Sequence, residues 1–202
     1  ALVGRKDHAM KQLANGVDII VAQGTEAGGH SGDVATMVLV PEVVDAVGDR
    51  PVLAAGGIGN GRQIAAALAL GAQGVWTGSI WLNTVECGQP DVMYKKFEKA
   101  TSSDAVRSRA YTGKPARQLR TAWTEAWDNP DNPAPLGMPL QYMLNAEAQD
   151  RIRRSGNEEL MGTPIGQLVG SFKEVRTVAE VIATMCADYD AAVASLPRLS
   201  AR

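Results

Sequence analysis

The sequence predicts an α/β fold, a parallel sheet whose strands are joined by crossover helices, followed by a second, mainly helical segment. Three observations carry this. Short apolar runs rich in β-branched residues recur in the first half, and each ends in a glycine-bearing loop. Stretches of helix-forming residues lie between them. Strand and helix periods therefore alternate, the pattern of βαβ units. Past residue 92 the apolar runs stop and longer helical patterns take over.

The elements follow in chain order. Ala1 to Val3 reads as the tail of a strand already under way. A helix is expected over Lys6 to Ala14. Val17-Asp18-Ile19-Ile20-Val21-Ala22 is nearly continuous in its apolarity, as a strand buried on both faces should be. Pro41 to Val47 reads as the next helix, with Pro41 in its first turn, where a missing N–H is harmless. Pro51 to Ala55 is a strand, Arg62 to Leu70 a helix of strong intrinsic propensity, and Gly74 to Thr77 another strand. Residues 93–128 and 140–160 look helical, separated by Asn129 to Pro139, whose four prolines predict an exposed loop. A final amphipathic helix is expected from Val178 to Leu196, with apolar positions at Val178, Val181, Ile182, Met185, Tyr189 and Val193. This gives four strands before residue 80. A (β/α)8 barrel takes about 250 residues, so if the chain belongs to one, roughly the first half of that barrel is absent.

Composition narrows the function classes. The 202 residues carry 20 Lys+Arg against 22 Asp+Glu, without the basic surplus that nucleic acid or anionic lipid demands. No apolar run approaches the ~20 residues that cross a bilayer, so a cytoplasmic protein is expected. The two cysteines, Cys87 and Cys186, are far apart and outside any Cys-x-x-Cys pair, which argues against a disulfide framework, a dithiol motif or a metal site. Both read as small buried hydrophobes.

Three loops could carry chemistry. Ala55-Gly56-Gly57-Ile58-Gly59-Asn60-Gly61 follows a strand and opens a helix. Such glycines allow a sharp turn and close ligand approach, and free N–H groups at a helix start favour phosphate; a ligand-free tight turn is the alternative. The spacing is neither G-x-G-x-x-G nor a Walker loop, which disfavours a Rossmann fold and a P-loop. One strand later, and 22 residues on from Gly56, Trp76-Thr77-Gly78-Ser79 offers a second glycine and two hydroxyls. In (β/α)8 barrels two such neighbouring loops often share a phosphate; the alternative is simple turn closure.

Gln23-Gly24-Thr25-Glu26-Ala27-Gly28-Gly29-His30-Ser31-Gly32 follows the first complete strand. His30, bracketed by glycines and titrating near neutrality, is a candidate general acid or base, or else a polar surface residue. Glu26 either orients His30 or substrate or is a surface carboxylate, and His8, near Lys6 and Lys11, reads as solvated. Lys99 to Arg120 has a local excess of five positive charges. It either attracts a phosphorylated ligand or forms a solvated helical face. Trp123 and Trp127, four apart, are expected to pack on one helical face.

Taken together, the Gln23 to Gly32, Ala54 to Arg62 and Gly71 to Ser79 segments resemble the nitronate monooxygenases, formerly 2-nitropropane dioxygenases, in order, spacing and strand placement. Gly113-Lys114-Pro115-Ala116-Arg117 and Gly166-Gln167-Leu168-Val169-Gly170 are similar to the family's C-terminal region. A sister group, the flavin-dependent enoyl-thioester reductases, shares the set. The resemblance implies an FMN-binding (β/α)8 TIM-type barrel with an added helical segment. It divides the chain into a half-barrel over 1–92, a helical segment with its Pro-rich loop over 93–165, and a C-terminal segment and helix over 166–202. It implies that Gln23, Gly28 and Gly29 lie along the flavin, that Gly56, Gly57, Trp76, Thr77, Gly78 and Ser79 hold its phosphate end, and that His30 is the catalytic histidine. The implied reaction is oxidative denitrification of nitroalkanes or nitronates by dioxygen; the sister group implies reduction of an unsaturated thioester by NADH or NADPH. Partners are then a small nitronate or thioester and O2, with a homodimer admitted. Ser79-Ile80-Trp81 departs from the family's usual threonine, arginine and phenylalanine, so phosphate contacts or pocket width are expected to differ from the family's.

Overall fold

The computed structural model describes residues 1–200, with side-chain surroundings as far as Leu196. Four strands, β1 (Leu2–Val3), β2 (Ile20–Gln23), β3 (Val52–Ala55) and β4 (Gly74–Trp76), form one parallel sheet in sequential order. Helices α1 (Lys6–Ala14), α2 (Thr36–Val47) and α3 (Gly61–Ala69) make the crossovers. The registers Val3↔Ala22, Ala22↔Ala54 and Ala54↔Val75 align one row of side chains against the helices. There Ile20, Ala22, Val52 and Ala54 meet Leu39, Val40, Val43 and Val47 of α2, an apolar stripe at helical spacing. The opposite face carries the row Leu2, Val21, Leu53 and Gly74 and, above it, the row Gln23, Ala55 and Trp76. β1 and β4 are the two edges of an open sheet.

Helix α2 begins at Thr36, five residues before the expected start, so that Pro41 lies inside it. The start is fixed from outside: the Thr36 N–H donates to Glu26 Oε2 at 3.0 Å and Oε1 at 3.2 Å. A carboxylate facing the positive end of a helix stabilises that end, so Glu26 is a helix cap, not a surface carboxylate. Helix α3 is opened by a reciprocal cap between Asn60 and Gln63.

After residue 90 the chain departs from the expected helix over 93–128. Helix α4 (Asp91–Lys99) and helix α5 (Ala122–Asp128) are separated by an antiparallel hairpin, β5 (Ala105–Ser108) and β6 (Ala116–Leu119). The reason lies in Ala105-Val106-Arg107-Ser108, a short segment flanked by turn residues, and in Gly113-Lys114-Pro115, whose glycine sits at φ +79° and whose proline breaks a helix. The basic stretch is therefore not a helical face. Arg107 pairs with Asp33, Arg109 Nε donates to the Gly113 carbonyl at 2.8 Å, Arg120 pairs with Asp104, and Arg117 is buried.

Residues 129–139 form the expected loop, and helix α6 (Leu140–Ser155) follows. Its buried Gln141 and Asn145 amides both donate to the Ala110 carbonyl, at 3.1 and 2.5 Å, clamping α6 onto the hairpin turn. Helix α7 (Val178–Ser200) returns to pack on α3. A Cβ on Gly61 would lie 1.9 Å from the Tyr189 amide nitrogen, so Gly61 serves helix packing, not the phosphate turn. A second core joins Met93 and Phe97 of α4 to Ile165, Val169, Phe172 and Val181, with the Phe97 and Phe172 rings edge-to-face at 6.1 Å. Trp123 and Trp127 do pack together on α5, their centroids 6.1 Å apart. Both cysteines are exposed, against expectation: Cys87 ends a short 3-10 segment and Cys186 lies on the outer face of α7. Among the described residues no helix is long and apolar enough to cross a membrane.

Candidate active site

The carboxyl ends of β2, β3 and β4 meet around a cavity of about 360 Å³. In a parallel sheet every crossover starts at this end, so ligand-binding loops collect there. The sheet register supplies one wall, since Gln23, Ala55 and Trp76 are aligned across three strands. Gly28, Gly56, Gly57, Thr77, Gly78 and Ser79 line the same cavity.

The glycine turn after β3 has the conformation its residues allow: Gly56 and Gly57 sit at φ +102° and +70°, a region that side chains with a Cβ avoid. Space forbids a side chain as well, since a Cβ on Gly56 would lie 2.9 Å from Thr36 Oγ1 and 3.0 Å from the Gly24 carbonyl. Among the described residues the N–H groups of Gly56, Gly57, Gly78 and Ser79 have no backbone acceptor. Such a set of unpaired donors on two converging turns suits an anion. The Ser79 hydroxyl accepts from the Gly166 N–H at 2.8 Å, which leaves its own proton to donate.

Gly29 and His30 do not line this cavity. Gly29, at φ +76°, exchanges two backbone hydrogen bonds with Arg117 of β6, at 2.9 and 2.8 Å. The neighbouring Gly28 permits a close approach, as its Cβ would lie 2.7 Å from the Ile165 carbonyl carbon. The glycines beside His30 thus dock its loop against the hairpin and the Ile165–Gly166 segment; they do not merely clear space for its ring. His30 is exposed, and its Nε2 is 2.8 Å from Thr112 Oγ1 in the hairpin turn. Partial burial, and then the Lys114 ammonium, hold its pKa below the ordinary 6.5 of an imidazole, so it is neutral at pH 7. His8 is exposed on α1.

Several residues of the site have roles that the sequence did not assign. Thr112 orients His30. Arg117 ties the Thr25 carbonyl, at 2.8 Å, to the Ala105 carbonyl, at 2.5 Å, and so fastens the His30 loop to the hairpin. Pro164 and Leu168 close the cavity from the second half of the chain. The Gly113 to Arg117 segment was the available signal for the first two and the Gly166 to Gly170 segment for Leu168; nothing local marked Pro164.

Comparison with known proteins gives the chain's family. The nitronate monooxygenase family model matches residues 2–188. The Mycobacterium tuberculosis protein named "Putative monooxygenase Rv1533" is 58% identical over all of this chain and 56% of its own length. A 5-hydroxy-7a-methyl-1-oxo-octahydro-1H-indene-4-carboxyl-CoA dehydrogenase of Rhodococcus jostii is 42% identical over 64% of this chain and 36% of its own. The solved structure of nitroalkane oxidase from Streptomyces ansochromogenes superposes with a TM-score of 0.84 at 29% identity, covering 96% of this chain and 58% of that one. The chain thus spans about half or less of these relatives' lengths. On its match across nearly every described element, the chain belongs to the nitronate monooxygenase family, a family of flavin-dependent oxidoreductases.

Proposed function

We propose that residues 1–92 are the C-terminal half of an FMN-binding (β/α)8 barrel, that 93–165 are its added helical segment and 166–202 a segment packed on it. We propose that the site carries out oxidative denitrification of alkyl nitronates or nitroalkanes in the cytoplasm, giving a carbonyl compound and nitrite with O2 as oxidant. One observation carries the reading: two glycine turns with unpaired N–H groups converge with Gln23 and Gly28 on a single cavity at the carboxyl ends of the strands. That donor set suits a phosphate monoester, and the adjoining Ala55, Ile58 and Leu82 suit an apolar ring system.

The residues that would hold FMN are Gly56, Gly57, Trp76, Thr77, Gly78 and Ser79 at the phosphate, with Gln23 and Gly28 along the flavin, while Gly29, outside the cavity, would fix their loop through its bonds to Arg117. When bound, FMN supplies the electron acceptor and the route to dioxygen. The chain supplies a proton-transfer group. The Thr112 hydroxyl donates its own proton to the Lys114 carbonyl at 3.1 Å, so His30 Nε2–H donates to Thr112 Oγ1; this fixes the ring and leaves the Nδ1 lone pair of the neutral imidazole free to take the proton from the carbon bearing the nitro group. Lys114 keeps that base unprotonated to lower pH.

The test is nitrite release from propyl-2-nitronate and from 2-nitropropane by the FMN-loaded chain in air. His30→Asn is expected to retain FMN and to slow turnover of the neutral nitroalkane by about a hundredfold or more. Bound FMN with no nitrite from either substrate, or an unaffected His30→Asn, would overturn the assignment. The CoA dehydrogenase relative favours a second reading, a flavin enzyme acting on a thioester. The basic stretch no longer supports it, because Arg107, Arg109, Arg117 and Arg120 are bonded within the protein. Anaerobic bleaching of bound FMN by NADH or NADPH would favour the thioester reading.

A further inference from the structure

A second cavity, of about 330 Å³, lies between α6 and the segment from Met161 to Pro164, and Pro164 lines both cavities. Two side-chain atoms on its wall, Tyr111 Oη and Gln149 Nε2, are shielded from solvent and have no hydrogen-bond partner among the described residues. An unmet buried polar atom destabilises the fold, so two on one cavity mark a place built to receive something. Tyr111 sits at the end of the hairpin, held by the Asn145 amide that donates to its carbonyl at 3.3 Å. Gln149 lies one turn further along α6.

The chemistry of the wall selects the occupant. Gln149 Nε2 is a donor only, and the Tyr111 hydroxyl is a donor at neutral pH, since burial pushes its phenol pKa up. Both therefore call for oxygen acceptors. The charged residues on the wall, Asp150 and Arg153, pair with each other and offer no unopposed charge. Buried Ile152 and Met161 supply an apolar floor. We propose that this cavity binds a small uncharged oxo compound, an apolar body bearing a nitro or carbonyl oxygen, beside the flavin cavity. The choice of a nitro or carbonyl group rests on the denitrification reading, whose substrate and product carry those groups; the cavity and its two donors do not.

The test uses the whole chain without added flavin. Nitrocyclohexane, cyclohexanone and, as the acceptor-free control, methylcyclohexane are titrated in turn while the Gln149 side-chain amide and the Tyr111 ring are followed by NMR. Nitrocyclohexane or cyclohexanone is expected to shift both signals, and methylcyclohexane to bind at least about tenfold more weakly. Tyr111→Phe and Gln149→Leu should each weaken the oxo ligand by about fivefold to tenfold, the loss of one neutral hydrogen bond. Tyr111→Phe should also fold with an equal or higher Tm, because it removes a hydroxyl that has no partner. Tighter nitrocyclohexane assigns the cavity to the substrate side, tighter cyclohexanone to the product side. No shift at either residue, which would mean the donors serve water only, or equal affinity for all three ligands, or oxo affinity unchanged in both variants, would overturn the proposal. Separate FMN titration of the same sample keeps failure of this cavity distinct from failure of the flavin site.

Discussion

The four-stranded sheet and the hairpin with α6 both hold loops at one end of the molecule, but by different physical means. The sheet does so through apolar register: Ile20, Ala22, Val52 and Ala54 pack on α2, and the loops emerge where the strands stop. The hairpin layer relies on buried polar bonds, with Gln141 and Asn145 on one carbonyl and Arg117 bridging two others. The proposed cofactor turns belong to the first region and the group that orients His30 to the second. A site assembled this way can have its binding surface and its proton-transfer group disturbed separately, one by steric changes in the sheet layer and the other by polar changes in the hairpin layer.

The largest effect should come from the sheet region. Gly61→Ala places a methyl where the Tyr189 backbone already lies, so α7 must move off α3; a loss of about 3 kcal/mol or more is expected, read by chemical denaturation. Next is Arg117→Leu, which leaves the Thr25 and Ala105 carbonyls without their guanidinium donor. About 2–3 kcal/mol should be lost, with the His30 loop more protease-sensitive while the sheet remains protected from hydrogen exchange. If both layers loosened together, the contrast between them would fail. Asn145→Ala removes one of two amides on the Ala110 carbonyl and should cost about 1–2 kcal/mol by the same measurement, less than Arg117→Leu because Gln141 still donates.

How much of this was legible follows the same division. The strands and α1 and α3 announced themselves because apolar periodicity and glycine turns are local signals, and α1 was predicted with its boundaries intact. The early start of α2 was hidden because its cap, Glu26, lies ten residues upstream. The hairpin was hidden because Ala105–Ser108 and Ala116–Leu119 are four residues each and only pairing makes them strands. The candidate turns were found from glycine spacing, whereas Thr112 and Arg117 matter through partners more than 80 residues away. Buried cysteines were expected from composition, yet both thiols are exposed and should react with a disulfide reagent in the native state.

The smallest effect is a shift of pH profile. With its pKa held below the ordinary value, His30 as a base should lose activity only as pH falls through that lowered pKa. Lys114→Gln removes one of the two causes, so the acidic limb should move to higher pH while the maximal rate at alkaline pH stays the same. An unmoved limb would show that His30 does not carry the proton.

The central claim, that the turns after β3 and β4 together hold a phosphate, is tested most directly by comparing FMN with riboflavin in a flavin-fluorescence titration of the purified chain. Tight FMN binding, with riboflavin weaker by about tenfold or more, is predicted, because only FMN brings the dianion that the Gly56, Gly57, Gly78 and Ser79 donors would meet. Equal affinity for the two flavins, or no binding of either, would contradict it.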